Sequence, residues 1–120
     1  MLKKLSCVFR LLIFLMFSAS AQATERAELA WQKLAQGAVL IDVRTASEYQ
    51  DKHLAGSINI AVQDFPTMDF SIFAKDEMIV LYCRSGNRSG RALDYLKSQG
   101  FTHLVNGGGL EEMLLVKPSP

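Results

Sequence analysis

Met78-Ile79-Val80-Leu81-Tyr82 runs directly into Cys83-Arg84-Ser85-Gly86-Asn87-Arg88-Ser89-Gly90. The first five residues form a short continuous apolar run, the pattern of a strand buried on both faces of a parallel sheet. Arg91-Ala92-Leu93-Asp94-Tyr95-Leu96-Lys97 then follows with helical patterning. The stretch predicts a strand, a tight polar loop and a helix, with Cys83 at the strand's C-terminal end. In open α/β sheets ligands bind at that end. Gly86 and Gly90 let backbone amides converge, and a helix start adds unpaired N–H groups and partial positive charge, so the loop is expected to cradle an anion. The same field favours a thiolate at Cys83, and Arg84 and Arg88 reinforce it. The alternative is a small structural cysteine that happens to end a strand. Two arginines and two glycines so close by are a poor setting for an inert thiol.

The flanking sequence extends the pattern in both directions. Upstream, Glu25 to Gln36 reads as a short amphipathic helix carrying Leu29, Ala30, Trp31 and Leu34, stopped at Gly37. Trp31 is expected in the core or at its edge. Val39-Leu40-Ile41-Asp42-Val43 reads as a second buried strand. Asp42 within it needs a partner, and Arg44 is expected on the opposite face. Thr45-Ala46-Ser47-Glu48 is a capping box opening a short helix, which gives Glu48 a structural role. His53-Leu54-Ala55-Gly56-Ser57-Ile58-Asn59-Ile60 reads as a turn and a short strand, with His53 fixing the turn rather than acting as a general base. Residues 61–77 form a connector around Pro66, laid onto the core by Phe65, Phe70, Ile72 and Phe73 with one helical turn. Downstream, the helix over Arg91–Gln99 stops at Gly100. Thr102–Val105 is a strand, Asn106–Gly109 a turn, and Leu110–Val116 a last helix. Alternating short strands and helices predict an α/β domain with a mostly parallel central sheet. The two glycine-rich turns, 83–90 and 106–109, then share one edge of it.

The ends and the composition bear on function. Lys3, Lys4 and Arg10 precede or border an uncharged run, Leu11 to Phe17, and Ala21-Gln22-Ala23 follows. That is the form of a secretory signal peptide over residues 1–23, cleaved after Ala23, with the domain over residues 24–120 exported to the periplasm. The apolar run is short for a spanning helix, which takes about 20 residues, so no stable membrane association is expected after cleavage. An uncleaved anchor is the competing reading; a lipoprotein is excluded because Cys7 precedes the apolar run. Loss of the leader removes three of 13 basic residues and leaves 12 acidic ones, a charge of about −2 with no basic tract. Nucleic acid is therefore not an expected partner. Cys83 is the one cysteine left after Cys7 departs. A lone thiol in an exported chain points to reactivity or to an intermolecular bridge. The two histidines and the carboxylates fall in no metal-ligand spacing, so neither metal nor cofactor is expected.

Three stretches together resemble the rhodanese family. These are Ile41-Asp42-Val43-Arg44 with Glu48-Tyr49, His53 to Ile60, and Cys83-Arg84-Ser85-Gly86-Asn87-Arg88-Ser89, and Val105-Asn106-Gly107-Gly108 resembles that family's closing glycine turn. The likeness covers about residues 26–114. It implies a rhodanese-like α/β domain with helices on both faces of the sheet. It also implies a thiosulfate sulfurtransferase that passes sulfane sulfur to a thiophilic acceptor, cyanide or a thiol, through a persulfide. By position Cys83 would be the nucleophile. Arg84, Ser85, Gly86, Asn87, Arg88 and Ser89 would bind the substrate, with Arg88 closing the loop. From its place at the end of the loop, where a side chain can fold back over the pocket, Arg88 is expected to count for more than Arg84. Lys52 replaces a frequent glycine, and Met113 stands near a frequent tryptophan of the last helix.

Two other readings keep the same cysteine. Cysteine phosphatases and arsenate reductases resemble this loop but place five residues between cysteine and arginine; here four intervene between Cys83 and Arg88. The shorter loop suits a single sulfur better than a tetrahedral oxyanion. A sulfur carrier or redox-binding module without turnover would also need this loop.

Overall fold

The computed structural model describes residues 25–120, so the expected leader lies outside the described residues. Helix α1 covers residues 25–35. It is followed by β1 (Val39–Asp42), α2 (Ala46–Asp51), β2 (Ile58–Asn59), a 3-10 helix (Val62–Thr67), β3 (Ile79–Cys83), α3 (Asn87–Ser98), β4 (Leu104–Gly109) and α4 (Leu110–Leu115). The sheet order is β2-β1-β3-β4 and every pairing is parallel. The expected α/β architecture holds.

Helices cover both faces of this sheet, which is why the central strand is apolar throughout. All five residues of β3 are buried. On one face Ile41, Ile79, Leu81 and Cys83 pack with Ala92 and Leu96 of α3 and with Phe65, Phe70 and Phe101. On the other, Leu40, Val80 and Tyr82 pack with Ala27 and Ala30 of α1 and with Leu110 and Met113 of α4. Neighbouring strand residues point to opposite faces, so β3 splits its side chains between two cores. Met113 is fully buried, and Trp31 holds its backbone by donating Nε1–H to the Met113 carbonyl at 2.8 Å. Methionine thus fills the last helix's core position in place of a larger ring.

Several local expectations change in detail. Strand β3 runs one residue further and α3 starts at Asn87, which shortens the connecting loop to Arg84-Ser85-Gly86. Residues 106–109 are the end of β4 rather than a turn. A register shift there sets Leu81 against Asn106 and Tyr82 against Gly108, leaving Gly107 as an extra residue. Gly108 takes φ +93° to accommodate it. Arg44 does not point away from Asp42. The chain leaves the strand after Asp42, and residues two apart share a face in extended chain. Arg44 Nε lies 3.0 Å and 3.1 Å from the two Asp42 carboxylate oxygens, and Nη2 lies 2.7 Å from one of them. Arg44 Nη2 also donates to the Lys52 carbonyl at 2.6 Å. The buried Asp42 charge thereby has its partner, and the turn after α2 is tied to the end of β1. His53 sits in that turn as expected, stacked on Tyr49 with ring centroids 3.7 Å apart and Nδ1 2.6 Å from the Tyr49 carbonyl.

Candidate active site

Cys83 closes β3 at the C-terminal edge of the sheet, and none of its surface reaches solvent. The chain then turns through Arg84 and Ser85 to Gly86, which takes φ +94° as the residue before α3. A left-handed residue is the natural task of glycine. The conformation aims the Gly86 N–H back at the Cys83 sulfur, 3.0 Å away. From the first turn of α3, the Ser89 hydroxyl reaches the same sulfur at 3.4 Å. Burial pushes the Cys83 thiol up, since it disfavours the charged form. Hydrogen bonds from the Ser89 hydroxyl and from the Ser89, Ser85 and Gly86 amides pull it down further, and the thiol ends below its ordinary value.

The loop is braced from behind. Arg26 of α1 donates to the Ser85 carbonyl at 3.1 Å and forks onto Glu112 of α4 at 2.6 and 2.7 Å. Its guanidinium lies so close under the loop that a side-chain carbon on Gly86 would come within 2.7 Å of it. Arg26 is held charged chiefly by the hydrogen bond to Glu112, against burial, and attraction to Glu112 and Cys83 adds to this. Asn106 of β4 donates its Nδ2–H to the Gly86 carbonyl at 2.9 Å and accepts the Ser89 hydroxyl at 2.7 Å.

The residues expected to bind substrate fall into distinct places. Gly86 and Ser89 contact the sulfur directly, and the Ser85 amide contributes to its field. Asn87 is exposed at the start of α3. Arg88 does not lie folded over the loop: its guanidinium is paired with Glu48 of α2 through bonds of 2.7 and 3.0 Å. Glu48 closes the expected capping box with Thr45, and the same carboxylate also takes Arg88. Arg84 is exposed and pairs with no carboxylate among the described residues. It lines a groove of about 350 Å³ together with Arg44, Glu48, Asp51, Lys52, Leu110 and Glu111. Arg26 and Glu112 carry no motif of their own in the sequence, and Asn106 belongs to the Val105-Asn106-Gly107-Gly108 stretch without any signal of its contact with Ser89.

This arrangement can hold a thiolate, or an anionic sulfur bonded to it, in a cradle of amide and hydroxyl donors braced by Arg26. The Rhodanese-like domain family model matches residues 26–114. Thiosulfate sulfurtransferase PspE of Escherichia coli (strain K12) is 35% identical over 78 residues, which is 64% of this chain and 75% of that protein. Thiosulfate sulfurtransferase GlpE of Pseudomonas savastanoi pv. phaseolicola is 40% identical over 76 residues, 61% of this chain and 70% of the relative. Among solved structures, an E. coli rhodanese with anions superposes with TM-score 0.55 at 34% identity, covering 63% of this chain and 91% of that one. The human single-domain sulfurtransferase TSTD1 gives TM-score 0.63 at 26% identity over 77% and 93%.

Proposed function

This chain belongs to the rhodanese family, and on that footing we propose that it is a thiosulfate sulfurtransferase acting through a Cys83 persulfide. The observation that carries the reading is the convergence of the Gly86 N–H and the Ser89 hydroxyl on one buried sulfur whose pKa lies below the ordinary thiol value. The thiolate attacks the outer, sulfane sulfur of thiosulfate. A new S–S bond forms, the sulfane–sulfonate bond breaks, and sulfite leaves with the electron pair. The persulfide's terminal sulfur then carries the negative charge, and donors already aimed at the site stabilise it without reorganisation. Cyanide attacks that sulfur and departs as thiocyanate, or a thiol takes it, and the Cys83 thiolate is restored. Covalent catalysis in two steps predicts ping-pong kinetics. Because Cys83 has no exposed surface, the donor reaches it only as side chains around the loop move aside.

Export to the periplasm, with residues 1–23 removed, is part of the same proposal and rests on the basic start, the apolar run and Ala21-Gln22-Ala23. Intact-mass analysis of protein recovered from cells expressing the full chain tests both parts. The expected mass begins at Thr24, rises by one sulfur atom on exposure to thiosulfate and falls back on exposure to cyanide. A chain retaining Met1 in the membrane fraction overturns the export reading. Sulfur uptake or turnover by Cys83→Ser overturns the nucleophile. Stoichiometric loading without turnover would make the protein a sulfur carrier instead.

A further inference from the structure

The hydrogen bonds around Ser89 pose a problem of proton supply. A serine hydroxyl has one proton to donate. Two acceptors lie within reach of the Ser89 oxygen: Asn106 Oδ1 at 2.7 Å and Cys83 Sγ at 3.4 Å. The orientation of the Asn106 amide is not free. Its Nδ2 donates to the Gly86 carbonyl at 2.9 Å, and its Oδ1 accepts the Gly108 N–H at 3.0 Å. Flipping the amide would set donor against donor and acceptor against acceptor at those two backbone groups. The oxygen facing Ser89 therefore stays an acceptor.

Both protonation states of the sulfur can be written with the groups present. With Cys83 as a thiol, S–H faces the Ser89 oxygen and the Ser89 proton goes to Asn106 Oδ1, the shorter contact. With Cys83 as a thiolate, the Ser89 proton can turn to the sulfur, and Asn106 Oδ1 keeps the Gly108 N–H. The exchange trades a neutral hydrogen bond for a charge-assisted one, which is the stronger kind. We propose that Asn106 is a positioning residue of this site: its pinned amide offers the Ser89 proton a second acceptor and so governs how far the sulfur can use it. The inference rests on the reading of Cys83 as the reacting thiolate. The same competition applies when the terminal sulfur of a persulfide replaces the thiolate as the anion seeking a donor.

The charged groups around the sulfur act on it separately. They are Arg84 of the loop, Arg26 of α1 with Glu112 of α4, Arg88 of α3 with Glu48 of α2, and the Asp42–Arg44 pair at the end of β1. Among the described residues, none of them donates to or accepts from the side chain of Ser89 or Asn106. The gap in sequence between Asn106 and Ser89 is bridged because α3 packs against β4.

The test is the pH profile of Cys83 alkylation by iodoacetamide, with ultraviolet thiolate absorbance as a second measure, in the full domain. Ser89→Ala should leave about tenfold less thiolate at a given pH, the equivalent of one charge-assisted hydrogen bond of ~1.4 kcal/mol. Ser89→Thr, which keeps a hydroxyl, should restore the parent profile. Asn106→Ala should increase the thiolate fraction while Ser89 is present and leave it unchanged in the Ser89→Ala background. Asn106→Asp, which holds the Ser89 proton more tightly, should decrease it, and by more with the hydroxyl than without. An Asn106→Ala effect of equal size in both backgrounds would mean that Asn106 only anchors the loop, and the proposal fails. If Asn106→Ala does not fold, the Asn106→Asp pair of profiles decides in the same way. Turnover by Cys83→Ser would instead remove the functional reading while the alkylation profiles, read on the thiol itself, still judge the coupling.

Discussion

Arg84 and Arg88 flank the same sulfur and end in different company. The Arg88 guanidinium is spent on Glu48, 40 residues away in sequence, and that pair holds it charged, with attraction to Cys83 adding to the effect. Arg84 has no carboxylate partner among the described residues and stands beside the groove next to the loop. An arginine free of other bonds can give its full hydrogen-bonding capacity to an arriving dianion. One already forked onto a carboxylate mainly orders the loop. Sequence spacing favoured Arg88 as the anion-binding residue because it ends the loop; the partner that claims it lies in another helix and leaves no trace in the local motif. Arg84→Ala is therefore expected to lower kcat/KM for thiosulfate by roughly 10- to 150-fold, from a charge-assisted hydrogen bond of about 1.5–3 kcal/mol. The loss should be smaller with a neutral sulfur donor. Arg88→Ala strands a carboxylate beside the site, so adding Glu48→Gln should recover part of its loss. Steady-state kinetics of the four proteins with both donors decide this; equal losses at Arg84 and at Arg88, with no recovery, would make the two arginines interchangeable.

At the scale of elements, the site exists because two strand ends meet. β3 brings Cys83, and the last residues of β4 lie against the loop that follows it. A side-chain carbon on Gly109 would collide with the Arg84 carbonyl oxygen and sit 2.9 Å from its carbon. The contact is backbone against backbone, with no flexible side chain to yield. Gly109→Ala is expected to destabilise the fold by about 1–3 kcal/mol, as overpacking does, and to abolish most activity by displacing the loop. Gly90 is the counterexample. It lies inside α3, and the nearest atom to an added carbon is Asn106 Nδ2 at an ordinary 3.5 Å. Gly90→Ala should stabilise by roughly 0.5–1 kcal/mol through helix propensity. Denaturant unfolding of both variants checks the opposite signs. The glycine run also shows where sequence reading stopped. Gly107-Gly108-Gly109 carried the ordinary signature of a turn, but the structure uses it as a bulged strand end that admits a neighbouring backbone. The strand–loop–helix around Cys83 and the Thr45–Glu48 capping box were legible because their signals are local. The ties Arg26–Glu112, Glu48–Arg88 and Ser89–Asn106 were not, since each joins elements whose adjacency comes only from the sheet order.

Across the whole molecule, the loop and the first turn of α3 are held by ties to α1, α2 and β4, and one of them makes the fold's stability depend on pH in a readable way. Glu48 is held down to about 2 from an ordinary 4.5, first by the hydrogen bond from Arg88, against burial, then by the Thr45 amide and hydroxyl and by the Arg88 charge. A carboxyl group that loses its proton more easily in the folded state stabilises that state wherever it is ionised in both. The contribution is therefore complete above about pH 4.5 and is lost as pH falls towards about 2. Arg88 stays charged throughout, so the loss belongs to the carboxylate. An ion pair of this partial exposure, with 27% and 30% of the two side chains accessible, is worth about 1 kcal/mol or less, and a domain of this size shifts its Tm by about 4–8 °C per kcal/mol. The difference in Tm between the parent and Glu48→Gln should thus be a few degrees at neutral pH, hold steady down to the ordinary carboxylate range, and close as the acid limit is approached. Taking the difference removes contributions common to both proteins. The capping bonds from Thr45 survive in part with a glutamine, so what closes is chiefly the charge-dependent share. A Tm difference that stays constant through that window would show that the Glu48–Arg88 pair orders the loop by shape alone, with no net electrostatic contribution to the fold.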